Sequence, residues 1–298
     1  MTALRALLAG VVDYAGLFPP AALDMPTAVR NYHHYRAEPD AWMLGRFVLP
    51  VSRLDEFNAA LEAVRTPHES EWQLSALLGA DAVRDTTLVR AFNASRAGEA
   101  NIDVVEARLD SPDAIGSAAS AARGREGHDL TLYAEIPIDR DPVPLIGALR
   151  QARLNAKVRT GGVTPESIPT AADIVRFMRA CIDAGVAFKA TAGLHHPLRA
   201  EHALTYASDA PRAVMFGFLN VFLAAAFLEF GMPDDDARRV LEERDPDSLA
   251  ITSGSIAWRG NALTAAQLRQ ARDVAAVSFG SCSFREPVDE LHALSILG

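Results

Sequence analysis

Eight short runs rich in apolar and β-branched residues recur along this chain, at Gly10–Tyr14, Gly45–Val51, Trp72–Leu78, Ile102–Leu109, Leu130–Ile136, Ala156–Thr160, Ala187–Ala192 and Ala276–Ser281. Helical patterns separate them, and strand-helix alternation implies parallel strands joined by crossover helices. Some helices open on recognisable caps, with Ser52 before RLDEFNAALEAV and Asp81 before AVRDTTLVRAF. Eight such units predict a closed (β/α)8 TIM barrel, and 298 residues suit one such domain spanning 1–298.

The rhythm breaks once. Between the seventh and eighth runs lie far more residues than a crossover helix needs, so an insertion is expected at approximately 198–262. It holds the apolar stretch Ala213–Phe230, an acid-started helix near Asp234–Arg244, and the segment LAITSGSIAWRGN. That last segment, 249–260, reads either as an inserted hairpin or as a barrel strand that would displace the N-terminal run. The apolar stretch is broken by Gly217 and Asn220 and ends in Glu229, barely the ~18 residues of a membrane span. It reads as a buried helix or an oligomer face, and a homodimer is the expected assembly.

A net charge of −9, with acidic and basic residues interspersed, argues against nucleic acid as a partner. No membrane span and no signal peptide are expected, since Asp13 and Tyr14 stand where a cleavage site would need small residues. The two cysteines, Cys181 and Cys282, form no framework and predict no disulfide in a cytoplasmic protein. Cys282 has no evident activating base and reads as a packing residue.

The basic residues are strongly biased: of 29 Lys and Arg, only Lys157 and Lys189 are lysine. Arginine supplies a permanent charge, whereas a buried lysine shifts its pKa and can act as a nucleophile. Lys157 lies in NAKVRTGGVTPES and Lys189 in VAFKATAGLHHP, each at the carboxyl end of a predicted strand. One amphipathic helix joins the two strands, which makes them neighbours ~4.8 Å apart. Two amines sharing an apolar barrel mouth are expected to lower each other's proton affinity, and a neutral amine is what imine chemistry requires. The competing reading pairs each lysine with a glutamate in a structural ion pair.

Candidate proton carriers are Asp103 and Glu106 in NIDVVEARL and Glu135 in LTLYAEIPI. Alternation puts Glu106 and Arg108 on one face of their strand and Asp103 on the other, so Asp103 and Glu106 share a pocket only if the strand bulges or ends between them. Arg159 is expected to orient an anionic substrate through a bidentate contact. The turn Gly280-Ser281, followed by Ser283-x-x-Glu286 as a capping box, predicts an anion cradle, to which Thr160, Gly161, Gly162 and Gly193 add backbone groups. Asp13 and Tyr14 at the first strand, with Arg108, His195 and His196, complete the expected substrate-binding set. No metal or other cofactor is expected; an alternative metal site would draw on Glu106, Glu135 and His195. His33 and His34 lie in a helical pattern and read as surface or packing residues.

Taken together, VDYAGLFPP, GEANIDVVEARL, LYAEI, AKVRTGGVTPES, AFKATAGL and VSFGSCS resemble, in order and spacing, the deoxyribose-phosphate aldolase group of class I aldolases. The resemblance implies Lys157 as the Schiff-base lysine, Lys189 as the residue tuning its pKa, and Asp103 as a proton relay. It also implies a substrate phosphate held by Ala192-Gly193 and by Gly280-Ser281 with Ser283. Arg159, the His195-His196-Pro197 segment and the long insertion depart from that group and would reshape the pocket. The expected activity is therefore a class I aldolase or other carbon-carbon lyase acting on a small, phosphorylated or otherwise anionic, carbonyl or sugar-like substrate. The alternatives are a metal-dependent lyase or isomerase on the same barrel and a non-catalytic barrel that binds a small anion.

Overall fold

The computed structural model describes residues 1–66, 68–124 and 129–297. Seven strands in chain order, β1 (Val12–Tyr14), β2 (Leu44–Pro50), β3 (Trp72–Leu77), β4 (Ala100–Arg108), β5 (Thr131–Glu135), β6 (Asn155–Arg159) and β7 (Phe188–Thr191), stand side by side. Two short antiparallel sheets follow: a hairpin of β8 (Ala200–Ala203) and β9 (Arg212–Met215), and a meander of β10 (Leu249–Ile251), β11 (Ser255–Trp258) and β12 (Asn261–Thr264). The strand β13 (Ala276–Ser281) then inserts between β7 and β1 and closes an all-parallel barrel of eight strands. Closure removes every exposed edge. All eight expected runs are barrel strands, and 249–260 is an added antiparallel sheet.

The helices are α1 (Ala3–Leu8), α2 (Met25–Tyr35), α3 (Leu54–Val64), α4 (Ala82–Ser95), α5 (Pro112–Ala122), α6 (Val143–Ala152), α7 (Ala171–Ala184), α8 (Phe218–Glu229), α9 (Asp234–Glu242), α10 (Ala265–Val274) and α11 (Arg285–Ala293). Asp81 caps α4 as expected, its carboxylate accepting from the Arg84 N–H. Ser52 does not cap α3, because a turn of 3₁₀ helix over Val51–Arg53 leads into that helix and makes Arg53 its first flanking residue. Phe57, Trp72, Phe177, Phe188, Phe222 and Phe279 are buried, and they belong to one continuous apolar core.

The insertion divides around α8 instead of forming one block. From Phe218 to Leu228 that helix is buried on every side, packed against α7, α9, α10 and β13. It therefore serves as an outer-layer barrel helix, and its apolar surface is already covered within one chain. The added pieces are the β8–β9 hairpin before it and the segment from α9 through β12 after it. Asn220, the polar break in the apolar run, is buried and donates from its amide to the carbonyls of Val240 (2.8 Å) and Glu243 (3.0 Å). Its own oxygen accepts from the Arg199 N–H at 2.9 Å, so one side chain ties the hairpin, α8 and α9 together. No helix among the described residues is long and apolar enough to cross a membrane.

Candidate active site

The sequence LPVS, SALL, VVEAR, YAEIP, AKVRT and FKATA alternates so that Ser75, Glu106, Glu135, Lys157 and Lys189 project into the barrel while their neighbours pack against helices. Lys157 and Lys189 are directly opposite one another in the β6–β7 register, and Lys157 is opposite Glu135 in the β5–β6 register. Charged side chains at barrel depth must be paired, and here they form one network. Lys157 Nζ lies 2.6 Å from Glu106 Oε2 and 3.2 Å from Glu135 Oε2. Lys189 Nζ lies 2.6 Å from Glu106 Oε1 and 2.7 Å from Asp13 Oδ2.

Glu106 thus bridges the two ammonium groups, one on each oxygen, and also accepts from Ser75 Oγ at 2.8 Å. Asp13 is fixed in turn by Ser278 Oγ (2.7 Å) and the Arg46 N–H (2.7 Å). Burial alone would raise the Glu106 pKa, but Lys157 and Lys189 outweigh it and hold this carboxylate well below its ordinary range. Burial would likewise lower the Lys189 pKa, yet Asp13 and Glu106 prevail and drive it upward, so Lys189 is a fixed cation. The amines lie well within the ~10 Å over which charges interact at moderate salt. Mutual depression of the pair does not follow for Lys189, because the barrel places two carboxylates against that ammonium and the expectation counted only the amines.

Above this network opens a cavity of about 900 Å³. Glu106, Arg108, Glu135, Lys157, Arg159, Lys189, His195 and His196 line it, together with Gly162, Gly193 and Gly280. Apolar lining comes from Phe18, Val48, Leu77, Leu78, Leu204 and Met215. Arg108 Nε and Arg159 Nε reach Glu135 Oε1 at 3.1 and 3.5 Å, from strands on either side of it. Burial raises the Glu135 pKa, and Lys157, Arg159 and Arg108 together more than reverse this.

Several expected residues are elsewhere. β4 does bulge, since Leu74 pairs with Ile102 and Ser75 with Val104, but Asp103 stays below the mouth, three residues and about 10 Å of strand before Glu106. There it forms a bidentate pair with Arg46 (2.6 and 2.8 Å), and it does not line the cavity. Glu106, not Asp103, is the carboxylate beside the lysines. Asp13 lies beneath Lys189 as its counterion instead of contacting the cavity. Tyr14 packs with Tyr32, Tyr35 and Phe47 in an aromatic cluster and accepts from Asn31, so it too is absent from the cavity wall.

The glycine turns are built for close approach. A Cβ on Gly161 would stand 3.1 Å from the Gly193 Cα, and one on Gly193 3.1 Å from the Gly161 Cα, so the two loops touch through backbone alone. Gly193 and Ala192 both have positive φ, and Thr160 Oγ1 donates to the Ala192 carbonyl at 2.6 Å, which holds that turn. The last strand does not offer the expected anion cradle. Ser281 Oγ accepts from the Ser283 N–H, and Ser283 Oγ accepts from the Glu286 N–H. Only half of the capping box forms, because the Glu286 carboxylate turns to His195 Nδ1 at 2.9 Å and lines the cavity itself.

The wall formed by the loops after β7 and β13 carries His202 and Tyr206, which sequence reasoning passed over and which reach it from the β8–β9 hairpin. Cys282, expected as a packing residue with no activating base, lines the same wall from the end of β13 with His195 Nε2 4.0 Å from its sulfur, a neighbour that only the folded chain supplies. His196 Nδ1 meets Glu290 Oε1 at 2.6 Å, and its ring stacks on His202 at 3.3 Å between centroids. Burial and the neighbouring His196 lower the His202 pKa to about 4, so it is neutral. Burial opposes protonation of His195, but Cys282 and Glu286 prevail and raise its pKa to about 9. The third histidine and the tyrosine in HHPLRAEHALTY were the available signal, and they required knowing that this segment folds back over the mouth.

Glu106, Glu135 and His195 do not converge as metal ligands. Both Glu106 oxygens face ammonium groups and His195 faces Glu286, and no cluster of three or more His, Cys, Asp or Glu suited to a metal occurs among the described residues. Comparison with family models, with curated proteins and with solved structures found no match to this chain.

Proposed function

We propose that the protein is a carbon-carbon lyase that forms an imine between Lys157 and a small anionic carbonyl substrate. The observation that carries this reading is the asymmetric pairing of the only two lysines. Both line the cavity, but Lys189 is locked between Asp13 and Glu106 and remains charged, whereas the second carboxylate of Lys157 is Glu135, held by arginines that a substrate can claim. TIM barrels place active sites at the carboxyl ends of their strands, which is where this network lies.

An anionic group entering between Arg108 and Arg159 draws these cations from Glu135. Removing positive neighbours from a buried carboxylate raises its proton affinity, and Glu135 then accepts the proton that Lys157 must lose. The free amine attacks the carbonyl carbon, the added nitrogen gives one proton to the new alkoxide, and that hydroxyl then leaves as water, which forms an iminium. Glu135 passes its proton to that departing oxygen, which restores the carboxylate as a base. It then takes the β-hydroxyl proton; the carbon-carbon bond breaks, its electrons neutralise the iminium as an enamine, and an aldehyde departs. Protonation and hydrolysis of the enamine return Lys157. Lys189 holds Glu106 ionised throughout, so Glu106 orients Lys157 and does not compete for its proton.

Borohydride trapping with a panel of anionic and neutral aldehydes and ketones tests this. A reduced adduct should map by peptide mass to Lys157, should be absent in Lys157→Arg, and should favour anionic carbonyls less strongly in Arg159→Gln. Absence of an adduct on Lys157 with every carbonyl sinks the proposal.

A further inference from the structure

We propose that Cys282, His195 and Glu286 form a second nucleophilic site in the same cavity, which captures an aldehyde reversibly as a thiohemiacetal on Cys282. Cys282 Sγ lies 4.0 Å from His195 Nε2, and His195 Nδ1 lies 2.9 Å from Glu286 Oε2. A thiol, a base within reach and a third group orienting that base are the elements of an activated cysteine. Tyr206 Oη stands on the other side of the sulfur at 3.6 Å. All four residues line the cavity, although Cys282 is only 5% exposed. The sulfur is thus turned to the substrate space and away from bulk water.

The surroundings select the electrophile. Glu286 lines this wall and pairs with His195, which leaves that imidazole unavailable to a carboxylate or phosphate, so an uncharged aldehyde end is the one that fits next to the sulfur. Addition to an aldehyde needs no leaving group. The sulfur–carbon bond forms as the carbonyl π bond breaks, the protonated His195 gives its proton to the new alkoxide, and the thiol proton replaces it on the imidazole. Tyr206 is placed to donate to that oxygen. No oxidant or reductant takes part, and reversal returns the free aldehyde. This site does not depend on the imine at Lys157.

Alkylation by iodoacetamide, mapped by mass spectrometry, reads the thiol directly. Cys181 is an internal control, because it is fully buried in the core. Cys282 should react at about pH 6.5 at least ~10-fold faster than a free peptide thiol, whose pKa is ~8.5. His195→Gln should return its rate profile to that of an ordinary thiol, with Glu286→Gln showing a smaller loss. Propanal should slow the wild-type reaction, dilution should reverse the effect, and Lys157→Arg should retain it. A Cys282 rate at or below that of the peptide thiol overturns the proposal, as does absence of protection by propanal. The wild-type rate and protection decide the matter even if a variant fails to fold. Loss of protection in a folded Lys157→Arg protein would assign aldehyde capture to the lysine and likewise overturn it.

Discussion

Glu106→Gln removes the one charge shared by both lysines and changes nothing else in volume. The amide oxygen can still accept from one ammonium, but the amide nitrogen is a donor and points a second pair of N–H groups at the other. Ser75 Oγ, 2.8 Å from the carboxylate, loses an ionised acceptor in the same substitution. Two buried cations then share only Asp13 and Glu135. Breaking a buried pair from one side costs about 3–5 kcal/mol, because the remaining charge is left uncompensated. At about 2 °C per kcal/mol for a chain of this length, the melting temperature should fall by roughly 6–10 °C. Scanning calorimetry or circular dichroism measures this. The diagnostic comparison is the double variant Glu106→Gln/Lys189→Met, in which the orphaned ammonium is also removed. It should be less destabilised than the two single variants added together. A melting temperature for Glu106→Gln within a degree of wild type, or strict additivity in the double variant, would refute the interlaced network.

The same network and the histidine wall predict two pH-dependent arms of stability. Glu106, Glu135 and Glu286 have depressed pKa values, so their contribution is complete above the unfolded value of ~4.3 and is lost as pH falls through the folded values. His195 is the opposite case: its contribution is complete below the unfolded value of ~6.5 and is lost as pH rises through about 9. Melting temperature against pH should decline on both sides, and His195→Gln should flatten the alkaline decline and remove the Glu286 part of the acid one, leaving that of Glu106 and Glu135. Gly217→Ala tests the junction between the hairpin and α8, where an added Cβ would collide with the Pro197 carbonyl oxygen and the Leu198 Cα. Backbone cannot yield as a flexible side chain can, so urea unfolding should show a loss of about 1–3 kcal/mol or more.

The barrel was legible because every one of its strands carries an apolar run long enough to register, and because the helix α7 between the lysine strands has a clear apolar stripe. The hairpin was not. AEHA and RAVM are four-residue strands with exposed positions and little β-branched character, so their local pattern has no distinctive period. Their fold comes from the closure of the chain over the mouth. The apolar run before Glu229 was readable as buried, but no local feature could say that α9 and α10 of the same chain would bury it. The expectation of an oligomer face rested on the absence of such a cover.

At the site, residue types were easier to read than their partners. Lys157, Lys189, Glu106 and Glu135 follow from strand alternation, whereas Asp103 was separated from them by its height on β4. Asp13 shows why this matters for chemistry. It sits on β1, two strands around the barrel from Lys189, and only closure through β13 brings it within 2.7 Å. Reckoned without it, Lys189 has only the glutamate it shares with Lys157, while Lys157 keeps Glu135 as well. With Asp13 on one side and Glu135 on the other, each ammonium has its own carboxylate in addition to the shared one, and the surplus charge on Glu135 is met by Arg108 and Arg159. In the imine mechanism proposed above, the proton of Lys157 is released through a change in Glu135's surroundings. Arg108 and Arg159 are the cations on Glu135 whose displacement would supply it, so the proposed mechanism ties activation of the amine to arrival of an anion.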